Sequence, residues 1–262
     1  MTPSSERRRL ATIGAAAGTL SGLFGVGGGV VIVPALVAWC GRDQREAVAT
    51  SLTAVGPLAV AGAIGYALHR QVDLVVALPL GIGSLIGAWL GSALLSRAPL
   101  AALRWLYAVI AVGTAVRLWL APGEVGGAVS HGPGTLALLL PVGIAVGLLS
   151  GLTGIGGGTV LVPIMQLGFS LPAAPAKGTS LLVILPTSAL GGYQNSKKGN
   201  GCLKDSLLVG AAGVLATLVV SQFAVFMDHA LSDVLLAFLL LAVGIGAIWG
   251  DVRSFFKRPH NK

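Results

Sequence analysis

The chain has 262 residues, 55% of them apolar and only 10% charged, with a mean hydropathy of +0.88. Ordinary globular domains carry about a quarter charged residues, so these few charges exclude a fully water-soluble coat. The formal net charge of +8 does not point to nucleic acid, because Lys and Arg lie in short clusters between apolar stretches, without a basic helix or interleaved aromatics to read bases. Such clusters are what topogenic charge looks like.

The chain starts with Ser4-Ser5-Glu6-Arg7-Arg8-Arg9-Leu10, in the form of a secretory or twin-arginine signal. Its apolar run continues, without a clear cleavage site, into Gly25-Val26-Gly27-Gly28-Gly29. We read it as retained in the mature fold. Allowing about 20 residues per crossing, apolar segments fall at 10–39, 47–68, 74–96, 105–120, 136–167, 179–194, 206–227 and 234–250. Connections such as Arg97 to Arg104 and Asp228 to Asp233 leave no room for a soluble domain. A single all-α, polytopic membrane domain over 1–262 is predicted. Cys40 and Cys202 lie at segment ends, outside any CxxC or Cys/His cluster, so neither a disulfide nor a metal site is expected.

The stretch Ser21 to Pro34 returns as Ser150 to Pro163, with ten of fourteen positions identical at an offset of 129. At that offset Thr50-Ser51-Leu52 matches Thr179-Ser180-Leu181 and Pro57 matches Pro186. Gly65 to Asp73 and Gly192 to Asp205 agree loosely once extra residues are allowed in the second copy. Two homologous halves, about 1–125 and 130–262, are predicted.

Within each half the glycine cluster should unwind its segment, since each Gly destabilises a helix interior by about 1 kcal/mol relative to Ala. Leu10 to Cys40 as one helix would run about 46 Å at 1.5 Å per residue, against a hydrocarbon core of about 30 Å. Two short arms meeting at the glycines fit better, as a bent crossing or as a re-entrant hairpin. Lys and Arg divide 12 against 5 between the two sides if segments one and five cross, and 14 against 3 if they are hairpins. The positive-inside rule therefore favours hairpins, with three true crossings per half, inverted repeats and both termini cytoplasmic. Eight plain crossings with parallel repeats are the alternative.

Unwound glycine backbone exposes N–H groups, and a helix starting there adds partial positive charge. Gly27, Gly28, Gly29 and their copies Gly156, Gly157, Gly158 can therefore cradle an anion, or simply allow close helix packing. Thr50, Ser51, Thr179 and Ser180 can donate hydroxyl hydrogen bonds to the anion or bond their own helices. Lys177 stands where the first half has Val48, and we assign it, with Tyr193, Gln194 and Asn195, to a rim. Gly83, Gly87 and Gly91 read as a packing face with no chemistry, where Gly87→Ala should do little to anion binding or flux. No acidic residue lies well inside any segment, so no buried carboxylate relay is visible. Neither GK[ST] nor a full GxGxxG follows the glycines, and no HExxH, GxSxG or paired carboxylates are present. An enzyme, a cofactor and a metal are therefore not expected.

Twin GxGGG-x(4)-P clusters, each followed by a helix starting near Thr-Ser-Leu, resemble the sulfite exporter TauE/SafE family of membrane permeases. The likeness covers nearly the whole chain, from Gly25 to Pro34 through Thr50-Ser51, the Gly83/Gly87/Gly91 run, Gly154 to Pro163 and Thr179-Ser180 to the Tyr193 to Asp205 connection. The resemblance implies transport of small sulfur-containing anions, such as sulfite, thiosulfate or organosulfonates, across the bacterial inner membrane. The expected partners are thus a small anionic substrate and the lipid bilayer, with a homo-oligomer left open. A membrane scaffold whose glycines only pack helices is the competing function.

Overall fold

The computed structural model describes residues 3–94, 100–120, 132–153, 156–197, 199 and 201–256. Arg97, His131, Gly154, Ile155, Lys198 and His260, with the boundary between the halves at 125–130, lie outside these residues. Among the described residues the structure is all helical: α1 (Pro3–Phe24), α2 (Gly29–Cys40), α3 (Gln44–Leu68), α4 (Leu74–Leu94), α5 (Leu100–Leu120), α6 (Pro133–Thr153), α7 (Gly158–Pro163), α8 (Ala173–Lys197), α9 (Leu203–Ala224) and α10 (His229–Phe256). A π-turn, Ile164–Gly168, continues α7. Five of these helices contain stretches long and apolar enough to cross a membrane. Leu68, Leu78, Trp89, Leu120, Leu215 and Phe223 stand on the exterior; in lipid such side chains need no cover, while the helices satisfy their own backbone. The chain is a multi-pass membrane protein.

Each predicted segment falls on helix, although α8 and α10 begin six and five residues before the predicted starts. Each long glycine-containing segment is two helices, and in the first half these form a hairpin. Arg9 Nη1 donates to the Trp39 carbonyl at 2.7 Å, and Arg42, just beyond α2, bonds Glu6 of α1 at 3.1 Å. The outer ends of α1 and α2 thus lie side by side, while Gly28 lies against Ala17 halfway along α1. Arg42 also bonds Asp205 of α9 at 2.6 Å and Glu46 of α3 at 3.2 Å, tying four chain segments together at this end. Burial works against the Arg42 charge, but Asp205, Glu46 and Glu6 outweigh it and push its pKa up.

Positions 129 apart make matching contacts. Gly14, Gly18 and Gly22 of α1 press on Val209, Gly213 and Thr217 of α9, and Gly143 and Gly147 of α6 press on Leu80 and Ser84 of α4. α3 crosses α8, and α5 packs with α10. Exchanging the halves maps this set of pairings onto itself. Two hydroxyls fasten the exchange: the Asp73 N–H donates to Thr179 Oγ1 at 2.9 Å and the Cys202 N–H donates to Thr50 Oγ1 at 3.2 Å. Asp73 therefore corresponds to Cys202, not to Asp205 as the loose alignment had it. Asp73 caps α4 through Val75 and Val76, whereas Asp205 sits in the first turn of α9 and meets Arg42.

Gly83, Gly87 and Gly91 do form a packing face, but not a tolerant one. A Cβ at Gly87 would collide with the Ile144 carbonyl oxygen and come within 2.7 Å of Leu148 N, both main-chain atoms. Alanine there must push α4 off α6, which corrects the expectation that it would do little.

Candidate functional site

α1 ends at Phe24 because the next residues adopt a backbone that side chains avoid. Gly25, Gly27 and Gly28 have φ of +69°, +78° and +75°, and Gly156 and Gly157 have +87° and +72°. A Cβ in this left-handed region costs about 1–2 kcal/mol, so glycine is required at these turns. Gly28 and Gly157 are the N-caps of α2 and α7, and neither helix has a side-chain cap. The first-turn amides of a helix lack intrahelical partners and carry partial positive charge.

The two breaks meet. A Cβ on Gly27 would touch Val55 Cγ1 at 3.1 Å and Ile184 Cδ1 at 3.2 Å; one on Gly156 would touch the same two side chains, at 3.5 Å and 3.9 Å. Val55 and Ile184 are themselves 129 apart, on the crossing of α3 and α8. Gly158 closes the junction, where a Cβ would lie 2.7 Å from Val26 Cα and 2.8 Å from the Gly25 carbonyl oxygen. The structure thus brings the break of Gly27, Gly28 and Gly29 together with that of Gly156, Gly157 and Gly158, each break opening an uncapped helix. Beside Gly156 and Gly157 is a cavity of about 10 Å³, lined also by Ser84, Ser150 and Thr187. That is room for about one water.

All four predicted hydroxyl residues are buried. Ser180 Oγ donates to the Gly25 carbonyl at 2.9 Å, holding the first break against α8, and the two threonines make the cross-half bonds already described. In this conformation the Thr50 and Thr179 hydroxyls join the halves and the Ser180 hydroxyl holds the first break.

The predicted rim is not one rim. Lys177 and Gln194 lie about 25 Å apart along α8 at 1.5 Å per residue. Tyr193 is exposed, with Lys197 Nζ 4.7 Å from its ring centroid, and the Asn195 amide donates to the Gly191 carbonyl at 2.8 Å. Lys177, by contrast, is only 1% exposed. A Cβ at Gly25 would lie 2.6 Å from its Cα, and its Nζ stands 5.9 Å from the Phe24 ring centroid. The assignment of Lys177 to a rim is corrected: α8 begins at Ala173, earlier than the apolar pattern suggests, and carries the lysine inside.

A carboxylate is buried as well. α10 begins at His229, so Asp233, 2% exposed, sits within it and accepts a hydrogen bond from Gln166 Nε2 at 3.0 Å. The sequence pattern placed no acid inside a segment because its last apolar run begins at 234, five residues after the helix start and just past Asp233. Ser84, Ser150 and Thr187 were missed too; of these only Ser150, the copy of Ser21, carried a signal. Among the described residues no three His, Cys, Asp or Glu side chains come together as a metal site.

The profile described as Sulfite exporter TauE/SafE matches residues 2–118 and 139–261 of the chain. A probable membrane transporter protein, YunE, of Bacillus subtilis (strain 168) is 29% identical over 214 residues, 73% of this chain and 78% of the relative. A probable membrane transporter protein, MJ0441, of Methanocaldococcus jannaschii is 29% identical over 189 residues, 70% of this chain and 69% of its own. A shorter match, 39% identical over 80 residues, reaches a probable membrane transporter protein of Xylella fastidiosa (strain 9a5c) and covers 30% of this chain and 31% of that one. No solved structure gives a significant match.

Proposed function

Since the chain belongs to the sulfite exporter TauE/SafE family, whose relatives here are probable membrane transporters, we propose that it is a secondary transporter of small sulfur-containing anions such as sulfite, thiosulfate or an organosulfonate across the bacterial inner membrane. The observation that carries this reading is the meeting of the two glycine breaks, Gly27 and Gly156 on the same Val55 and Ile184 side chains and Gly158 on Val26, each beside an uncapped helix start. An oxyanion that leaves water must replace its hydration with hydrogen-bond donors, and backbone amides at two helix ends supply them. Dipoles hold an anion more weakly than a full opposite charge, which suits a carrier that must release its cargo. The cavity of about 10 Å³ is smaller than any such anion, so loading requires the breaks to part. The hairpin of α1 and α2 supports an inverted-repeat topology with cytoplasmic termini.

The test is uptake of labelled sulfite, thiosulfate and an alkylsulfonate by proteoliposomes containing the purified chain, beside Gly157→Leu. At Gly157 a Cβ would lie 3.1 Å from Val146 Cγ1 and the φ is +72°, so leucine both strains the turn and fills the cradle. We expect flux and anion binding to fall at least a hundredfold. A Gly157→Leu protein that binds these anions with wild-type affinity refutes the cradle, and a wild type that moves none of them refutes the function. Topology is tested by thiol labelling. Cys40 and Cys202 are both free and lie near the Arg42 end, so an impermeant reagent should modify both from the cytoplasmic face only. Modification of Cys40 from the periplasm refutes the proposed orientation.

A further inference from the structure

We propose that Lys177 is a second, charged ligand for the transported anion, with Asp233 as the counter-ion that neutralises it in the closed form. This rests on the transport reading above and adds to the cradle a residue that nothing else assigns.

Lys177 and Asp233 are 1% and 2% exposed. Ionisable groups inside a membrane protein are costly and are retained where they meet one another, a substrate or an ion. Their neighbours Met165, Ala176, Leu236 and Ala237 share one buried core with Phe24, which puts both charges at the same packed contact, and Phe24 offers the ammonium its ring face. Around this pair the polar bonding is incomplete. Gln166 spends its amide N–H on Asp233, while its Oε1 is buried with no partner, as is Ser232 Oγ next to Asp233. A cluster retained only to join α8, α10 and the π-turn would gain by satisfying those atoms or by being apolar. The open hydroxyl and amide fit a site whose partners change when a guest arrives.

The place of the cluster says which guest. Lys177 is built against Gly25, and Ser180, one turn on, bonds the Gly25 carbonyl, so any opening of the first break moves the lysine. An oxyanion passing the breaks would find the ammonium beside its route and compete with the Asp233 carboxylate for it. In the other half Val48 occupies the position matching Lys177, and Val37 the position matching Gln166. Lys177 therefore has no lysine counterpart at its own position, while both breaks offer dipoles.

The experiment measures binding of labelled sulfite and thiosulfate to the purified full chain in detergent, for wild type, Lys177→Gln, Lys177→Arg and Asp233→Asn, with thermal unfolding measured in parallel. Lys177→Gln should raise the anion Kd at least tenfold, and Lys177→Arg should bring it back to within about threefold of wild type. Asp233→Asn removes the competing carboxylate and should lower the Kd several-fold, a change of opposite sign that loss of packing would not produce. If Lys177→Gln does not fold, Asp233→Asn alone decides: an unchanged or raised Kd overturns the proposal. A Lys177→Gln protein that folds and binds within twofold of wild type also overturns it, while leaving the cradle standing if Gly157→Leu has lost binding. A wild type that binds neither anion overturns both readings.

Discussion

From Gly28 the first half leaves the junction as a regular helix that exposes Val37 and ends at Gly41. From Gly157 the second half leaves as a helix that widens into a π-turn over Ile164–Gly168 and buries Gln166, the position matching Val37. The backbone frame is shared: both begin on a left-handed glycine and both press on Val55 and Ile184. The side chains are not. The end of the molecule near Cys40 carries Arg42 with three carboxylates at a partly exposed surface, and the matching position, Leu171, is fully buried. The end near Lys177 carries its charges inside. The two halves keep the glycine backbone that shapes the breaks, where geometry leaves no choice, and differ at their two ends, where side chains are free to vary.

The shared frame is broken most severely at the helix crossings. Gly18 and Gly147 are counterparts, and a Cβ at each would come within 2.8 Å of Gly213 Cα and 2.6 Å of Ser84 Cα, respectively. Overpacking generally costs about 1–3 kcal/mol, and here the obstacle is main chain that no rotamer change can move. Gly18→Leu and Gly147→Leu should each lower unfolding stability in detergent by about 3 kcal/mol, and by amounts that agree with each other. A half that tolerates leucine would show that the two crossings are not equivalent.

The divergent ends respond less. Arg42→Met removes the partner of Asp205, whose side chain is 11% exposed, and of Glu6 and Glu46, which are 42% and 33% exposed. The exposed pairs contribute little; leaving Asp205 without its guanidinium should cost about 1–2 kcal/mol. Arg42→Met with Asp205→Asn should recover most of that loss in the same unfolding measurement. A double variant no more stable than Arg42→Met would show that the arginine acts through packing, as Leu171 does at its matching position.

Helix number and most boundaries were legible in the sequence because lipid makes apolar length the deciding signal, and the glycine breaks were legible because four glycines in five residues cannot stay helical. The convergence of the breaks was readable only as a consequence of duplication; which contacts make it, Gly158 on Val26 and Gly27 on Ile184, depends on tertiary packing. Lys177 and Asp233 were misjudged for one reason. Polar residues near a segment end look like loop in a hydropathy pattern, but α8 and α10 begin six and five residues before the apolar run, and in a packed bundle that turn is interior. Gly14, Gly18 and Gly22 were overlooked because a small-residue stripe beside a basic start reads as a signal sequence.

The smallest effect sharpens the comparison at its last shared point. Both broken segments end on a residue in the left-handed region, Gly41 at φ +66° and Ser170 at φ +56°. The same hydrogen bond closes each: the Arg42 N–H donates to the Leu36 carbonyl at 3.1 Å and the Leu171 N–H to the Met165 carbonyl at 3.0 Å. All three pairs, Gly41 with Ser170, Arg42 with Leu171 and Leu36 with Met165, correspond at the offset of 129. Ser170 therefore holds a conformation that costs a side chain about 1 kcal/mol, against which glycine would lose about 0.4–1 kcal/mol more backbone entropy on folding. The two terms nearly cancel, and Ser170→Gly should raise stability by no more than about 0.5 kcal/mol. Gly41→Ser should lower it by a similar amount, because nothing lies within 4 Å of a Cβ there and the substitution reports backbone strain alone. Opposite signs of these two small shifts in paired unfolding curves are the expected result. If Ser170→Gly is destabilising, the serine hydroxyl supports the turn, and the second segment closes by a means that the first does not have.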